Sequence, residues 1–142
     1  MRGKPNKQPN IFPILTAFIA PAIVFAIHLF AINFYFYSLI PNLDIPMHFI
    51  GGMAIAVTVI CLMNVVEKEK LAAFKSHFVR AVLLIALVSM SASFWEISEF
   101  IVDTSWGFNL QYSLQDTMKD MILGLIGGSI VVISWAYGKT QR

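Results

Sequence analysis

FVRAVLLIALVSMSASFWEISEFIV, Phe78–Val102, is the stretch that decides the fold. Between Arg80 and Glu96 it carries fifteen residues without a charge. A helix of about 20 mostly apolar residues crosses the ~30 Å hydrocarbon core of a bilayer. The two glutamates arrive only at the end of the run, three residues apart, so on a helix they share one face. Outward from it lie three similar runs, Ile11–Ile40, Pro46–Val66 and Thr117–Tyr137. The spans are predicted at 14–38, 47–66, 79–101 and 117–137. The expected fold is all-α, a single domain over residues 1–142 that forms a polytopic bundle of four transmembrane helices. The first run is longer than one span needs, and Pro13 and Pro21 mark its entry or a kink. A basic tail before an apolar run also resembles a signal peptide. The run is too long for that and lacks a small-residue cleavage site followed by polar sequence.

Composition agrees. The chain is 58% hydrophobic and 13% charged, with a mean hydropathy of +0.73. A soluble domain has about 25% charged residues to cover its surface. The net charge of +2 comes from short basic clusters at segment ends, which argues against nucleic acid as a partner and for the lipid bilayer. Cys61 is the single cysteine and sits in an apolar run, so no internal disulfide forms and the thiol reads as packing.

Lysine and arginine set the direction. Arg2, Lys4 and Lys7 precede the first span, Lys68, Lys70, Lys75 and Arg80 join the second to the third, and Lys139 and Arg142 follow the fourth. Nine of ten basic residues therefore fall on one side, and only Lys119 falls on the other. Both termini are predicted to be cytoplasmic. Tyr35, Tyr37, Trp106 and Tyr112 suit the outer interface, Trp135 and Tyr137 the inner one.

On that topology the acids divide unevenly. Glu67 and Glu69 fall among lysines and read as a solvated loop. Asp44, Glu96, Glu99, Asp103, Asp116 and Asp120 all map to the outer ends of spans or to outer loops, and His48 joins them. Asp44 and His48 are four apart, as are Asp116 and Asp120. Small residues continue these faces: Gly51 and Gly52 after His48, and Gly124, Gly127 and Gly128 after Asp120. Small residues in membrane helices let backbones approach closely, so the glycines are candidate helix-packing positions. The polar groups should then point into the bundle. A charge at the bilayer centre costs roughly 2.5–3.5 kcal/mol, less near the interface. Lys119 and a protonated His48 cannot neutralise six carboxylates. Either some carboxylates hold protons or a cation binds among them. The candidate metal-ligating set is Asp44, His48, Glu96, Glu99, Asp116 and Asp120. A plainer reading makes Asp44 and Asp116 helix caps and leaves Glu99 and Asp103 in water. His28 reads as a neutral packing histidine with a capacity to relay protons, and Asn33 and Asn64 as interhelical hydrogen-bond partners.

Three motifs carry a family resemblance. Asp44-Ile-Pro-Met-His48-Phe49-Ile-Gly51-Gly52 resembles the D-x3-HF-x-x-G element of YjdF-like membrane proteins, distant relatives of the VanZ-like family. Phe94-Trp95-Glu96-Ile-Ser-Glu99-Phe100 resembles their WE-x-x-E element. Leu114-Gln115-Asp116-Thr117-Met-Lys-Asp120-Met121, with Gly127-Gly128 beyond, resembles their D-T-x-x-D-M…G element. The resemblance covers residues 40–130 in the right order. It implies a multi-pass protein of a bacterial or archaeal cytoplasmic membrane. Through the VanZ-like link to glycopeptide resistance, it implies chemistry of the cell envelope.

Three functions fit these residues. The first is a metal-dependent enzyme acting on a lipid-linked or envelope substrate at the outer leaflet. Carboxylates with one histidine suit Mg²⁺, Mn²⁺ or Ca²⁺, and Zn²⁺ less well. The chain offers no Ser or Cys nucleophile beside an obvious base, and no Glu-x-x-His pair of the di-iron bundles. The second is a proton or cation transport component, for which four helices are few unless the chain forms a homo-oligomer. The third is a scaffold whose polar cluster only holds the bundle.

Overall fold

The computed structural model describes residues 12–140; Arg2, Lys4, Lys7 and Arg142 of the orientation argument lie outside them. Among the described residues the only regular elements are helices: α1 (Phe12–Ala17), α2 (Ile19–Asn33), α3 (Phe36–Leu39), α4 (Asp44–Lys68), α5 (His77–Trp106) and α6 (Leu114–Thr140). Four segments are long and apolar enough to cross a membrane: Phe12–Asn33, Asp44–Lys68, His77–Trp106 and Leu114–Lys139. The chain is a multi-pass membrane protein.

The first span is broken at Phe18, between α1 and α2, and the cause is Pro21. Proline has no N–H to give the carbonyl four residues earlier, so Ala17 O is left without its helical donor. A neighbouring helix supplies one: the Thr58 hydroxyl of α4 donates to Ala17 O at 2.7 Å. The kink is thereby tied to the second span. This span ends at Asn33, short of the 14–38 expected, because Tyr35 takes a left-handed backbone (φ 58°) and turns the chain into α3. Asn33 does not bond between helices; its amide donates to Leu29 O of its own helix at 2.7 Å.

Helix α4 is the hub, packing on α1, α2, α5 and α6. Its approach to α6 rests on glycine. A Cβ on Gly52 would fall inside the backbone of Gly124, one on Gly127 inside the backbone of Phe49, and one on Gly128 against Val88 and Gly52 O. Gly51 is different: a Cβ there would meet Val24 Cγ1 at an ordinary 3.9 Å. On α6 the buried stripe of Asp120, Gly124, Gly128 and Val132 lies opposite an exposed stripe of Ile122, Ile126, Ile130 and Ile133. An apolar stripe turned outward is what hydrocarbon solvates.

The interior has two halves. An apolar core of Ala56, Ile60, Met63, Leu84, Val88 and Val132 fills the half toward the α4–α5 connection. Arg80 closes that end, buried. Its Nη2 lies 2.9 Å from Glu67 Oε2 and donates to Asn64 Oδ1 at 3.3 Å, and its guanidinium stacks 4.8 Å from the Trp135 ring centroid. Glu67 is thus an ion-pair partner on α4 and not part of a solvated loop. The other half holds the acids.

Candidate functional site

His48 stands at the centre of the acidic half. It lies one helical turn inside Asp44, and its Nε2 is 3.0 Å from Asp44 Oδ1. That is hydrogen-bond distance to a carboxylate, which only accepts, so Nε2 carries the proton. In the neutral ring Nδ1 then presents a lone pair. It faces Glu96 Oε1 of α5 at 3.7 Å. Glu96 is 4% exposed, and this oxygen has no hydrogen-bond partner. With the ring neutral and Glu96 ionised, the half-buried acceptor His48 Nδ1 faces the buried acceptor Glu96 Oε1; a proton on either group would supply the donor. Asp120 Oδ2 of α6 lies 3.9 Å from His48 Nε2.

The two glutamates are held from opposite sides. Gln111 donates from Nε2 to the Glu96 backbone carbonyl at 2.8 Å and to its Oε2 at 3.1 Å. Gln111 is placed by Asp103, whose carboxylate accepts the backbone N–H groups of Leu110 and Gln111 at 2.9–3.0 Å. The turn into this loop is made by Gly107, left-handed at φ 71°, which closes α5 onto Asp103 O. Glu99, also buried, accepts from Trp95 Nε1–H at 2.9 Å. Across α2, His28 Nε2 is 3.9 Å from Glu99 Oε1, and its Nδ1 is 2.7 Å from the Tyr37 hydroxyl. Burial, and then the carboxylates of Asp44, Glu99 and Asp120, hold the Tyr37 hydroxyl above its ordinary pKa. It stays protonated, and in the tautomer in which it donates to His28 Nδ1 the Nε2–H of His28 is turned toward Glu99. Tyr37, His28 and Glu99 thus form one row ending at the glutamate pair.

Lys119 occupies the other flank. Its Nζ sits 3.0 Å from Asp44 Oδ2, 2.5 Å from Asp116 Oδ1 and 3.5 Å from Asp120 Oδ1. Asp44 is no helix cap: the residue before it has no side-chain capping bond, and its own oxygens go to His48 and Lys119. Ser113, not Asp116, caps α6, its hydroxyl accepting the Asp116 N–H at 3.1 Å.

Two triads bring their ligand atoms within 4.8 Å of one another, Asp44–His48–Asp120 and His48–Glu96–Glu99. They share His48 and differ in charge compensation. The first already has the Lys119 ammonium. The second has no lysine or arginine ion pair among the described residues. Five of the six expected ligands therefore fall in these triads; Asp116 falls in neither and faces Lys119. His28, Tyr37 and Gln111 were not foreseen as parts of the site. The His28–Tyr37 pairing depends on the turn at Tyr35, and the Gln111 contact on the path of residues 107–113. Neither leaves a periodic signal.

A family model described as a predicted membrane protein, DUF2238, matches residues 7–141. It is the family to which the YjdF-like motifs point. No curated protein and no solved structure matches.

Proposed function

The chain belongs to the DUF2238 family of predicted membrane proteins, and we propose that its acidic half is a divalent-cation site serving chemistry on lipid or envelope substrates. The ligands are His48 Nδ1, Glu96 and Glu99. The observation that carries the reading is the buried, unpartnered Glu96 Oε1, 3.7 Å from His48 Nδ1. Two ligand bonds of about 2.0–2.2 Å to a shared ion span that gap. Asp44 orients the ring through Nε2–H, the carboxylate–histidine–metal arrangement that fixes a ligand's tautomer. One nitrogen and two carboxylates favour Mn²⁺ or Zn²⁺ over Mg²⁺ and Ca²⁺. A bound ion of this kind polarises a phosphoryl or carbonyl oxygen or lowers the pKa of a bound water. Gln111 holds Glu96 and Trp95 holds Glu99 in place for it.

The acidic end faces away from the cytoplasm in this reading. Lys68, Lys70, Lys75, Arg80 and Lys139 all lie at the opposite end, with Lys119 alone among described basic residues at the acidic one. The membrane is then the cytoplasmic membrane of a bacterium or archaeon. The VanZ-like side of the resemblance supports an envelope substrate.

The test is elemental analysis of protein purified in detergent and equilibrated with Mn²⁺ or Zn²⁺. One ion per chain is expected in the wild type and in Asp116→Asn, and none in Glu96→Gln or Glu99→Gln. Sub-stoichiometric metal in the wild type overturns the reading.

A second reading rests on the row Tyr37–His28–Glu99, in which His28 hydrogen-bonds Tyr37 at 2.7 Å and stands 3.9 Å from Glu99, so that a small side-chain shift would complete a proton path toward the glutamates. In it the carboxylates share protons and the chain is part of a proton or cation pathway. Proton flux in liposomes, lost in His28→Phe, would favour this over a metal site.

A further inference from the structure

Below the acidic cluster lies a cavity of about 100 Å³ between α2 and α5, with α4 and α6 at its back. Its two ends differ in chemistry. At one end stand His48, Asp120 and His28, all members of the site or in contact with it. At the other stand Ile55 and Val88, at the edge of the apolar core. From His48 to Ile55 is seven residues of helix, about 10 Å at 1.5 Å per residue. The floor is the face of α4 and α6 that carries Gly51, Gly52 and Gly124. Trp95 bridges the two walls, taking the edge of Phe25 at 5.8 Å and of His28 at 4.9 Å between centroids. Phe25 is itself 48% exposed, so the wall it forms borders the surrounding hydrocarbon.

We propose that this cleft seats the first methylenes of a phospholipid acyl chain, the rest of which passes Phe25 into the surrounding hydrocarbon, and that the phosphate meets, at His48, the cation held by His48, Glu96 and Glu99. The proposal deepens the metal-site reading and rests on it. Three protein ligands leave positions open on a six-coordinate Mn²⁺, and hard cations fill such positions with phosphate oxygens. The unpaired, buried Glu96 Oε1 marks where the positive charge belongs. An amphiphile matches the cleft end for end: a charged group at the polar end, methylenes toward Ile55 and Val88. A free phosphate would match only the first.

The experiment uses the full chain in a mild detergent with Mn²⁺, and native mass spectrometry as the readout. The probes are dioleoyl phosphatidic acid, diacylglycerol with the same chains, and inorganic phosphate. Phosphatidic acid should bind one per chain and be released by EDTA. Diacylglycerol should bind at least tenfold more weakly, and inorganic phosphate should not compete at equal concentration. Gly51→Leu fills the cleft, because Gly51 lines it and a Cβ there meets Val24 Cγ1 at no more than an ordinary 3.9 Å contact. It should weaken phosphatidic acid at least tenfold while the metal content stays at one per chain. Ser91→Leu, on the facing wall, should do the same and covers the case in which the first variant does not fold. Metal retained with lipid binding unchanged in both variants overturns the cleft as the chain site. Diacylglycerol binding as tightly as phosphatidic acid, or inorganic phosphate displacing it, overturns the amphiphile. Absence of metal in the wild type is a separate result, and it overturns the cation site and this inference together.

Discussion

Replacing Gly52 by alanine should part helices α4 and α6, and with them the two sides of the site. The new methyl would fall on the backbone of Gly124, which cannot rotate aside as a side chain can. Overpacking a tight interior costs about 1–3 kcal/mol, and a clash with backbone belongs at the upper end, about 3 kcal/mol. An internal reference is available. Gly138, near the end of α6, has nothing within 4 Å of the place a methyl would take. There Gly→Ala relieves helix entropy and should gain about 0.5–1 kcal/mol. The two substitutions are chemically identical, so their difference of about 3–4 kcal/mol isolates the contact. At 1.4 kcal/mol per tenfold this is more than a hundredfold in the unfolding equilibrium. The assay is equilibrium unfolding in mixed micelles of dodecyl maltoside and SDS, followed by tryptophan fluorescence and circular dichroism. Gly127→Ala should behave as Gly52→Ala, because its methyl would meet the Phe49 backbone. Gly51→Ala, with only an ordinary contact to Val24, should behave as Gly138→Ala. If Gly52→Ala unfolds together with Gly138→Ala, the close approach of α4 to α6 is wrong, and so is the placing of His48 beside Asp120.

Three further outcomes follow from other parts of the molecule. Glu67→Met leaves the buried Arg80 guanidinium without its 2.9 Å partner and should cost about 1–2 kcal/mol, discounted because Glu67 is partly exposed; Arg80→Met added to it should recover most of the loss in a double-mutant cycle. Tyr37 is held protonated by its surroundings, so the stability it contributes is present below its unfolded pKa of about 10 and is lost as pH rises above that; alkaline melting should therefore be steeper in the wild type than in Tyr37→Phe. For orientation, in a chain with Cys61→Ala, a cysteine at Asn109 should react with an impermeant maleimide from outside intact cells and one at Ser76 only after permeabilisation; the reverse pattern would put the acidic half in the cytoplasm.

The four spans were legible because hydrocarbon tolerates so little charge that fifteen uncharged residues between Arg80 and Glu96 leave few alternatives. The glycine faces were legible too, since Gly52 follows His48 on one helix, and Gly124 and Gly128 follow Asp120 on another, at four-residue spacing. Topology alone put the acids at one level. What it could not do was sort them. Asp44 and Asp116 look alike at helix starts, yet one orients His48 and the other holds Lys119. That difference is set by the rotation of α4 against α6, which depends on glycine contacts and not on local pattern. His28 was legible as a buried polar residue but not as a neighbour of Glu99, because its partner Tyr37 arrives through a left-handed turn at a residue other than glycine. Glu67 sat among lysines and looked solvated; only the inward turn of Arg80 over Trp135 makes it a partner.

In the proposed site a metal ion, rather than shared protons, stabilises the confrontation of His48, Glu96 and Glu99. Melting temperature in detergent, with and without EDTA, for wild type and Glu96→Gln separates the two by sign. With a metal, EDTA lowers the melting temperature of the wild type, Glu96→Gln lowers it too, and EDTA has no further effect on the variant. With shared protons, EDTA changes nothing, and Glu96→Gln removes a like-charge neighbour of Glu99 and raises the melting temperature. The metal site requires the first pattern; the second, or indifference to both perturbations, would rule it out.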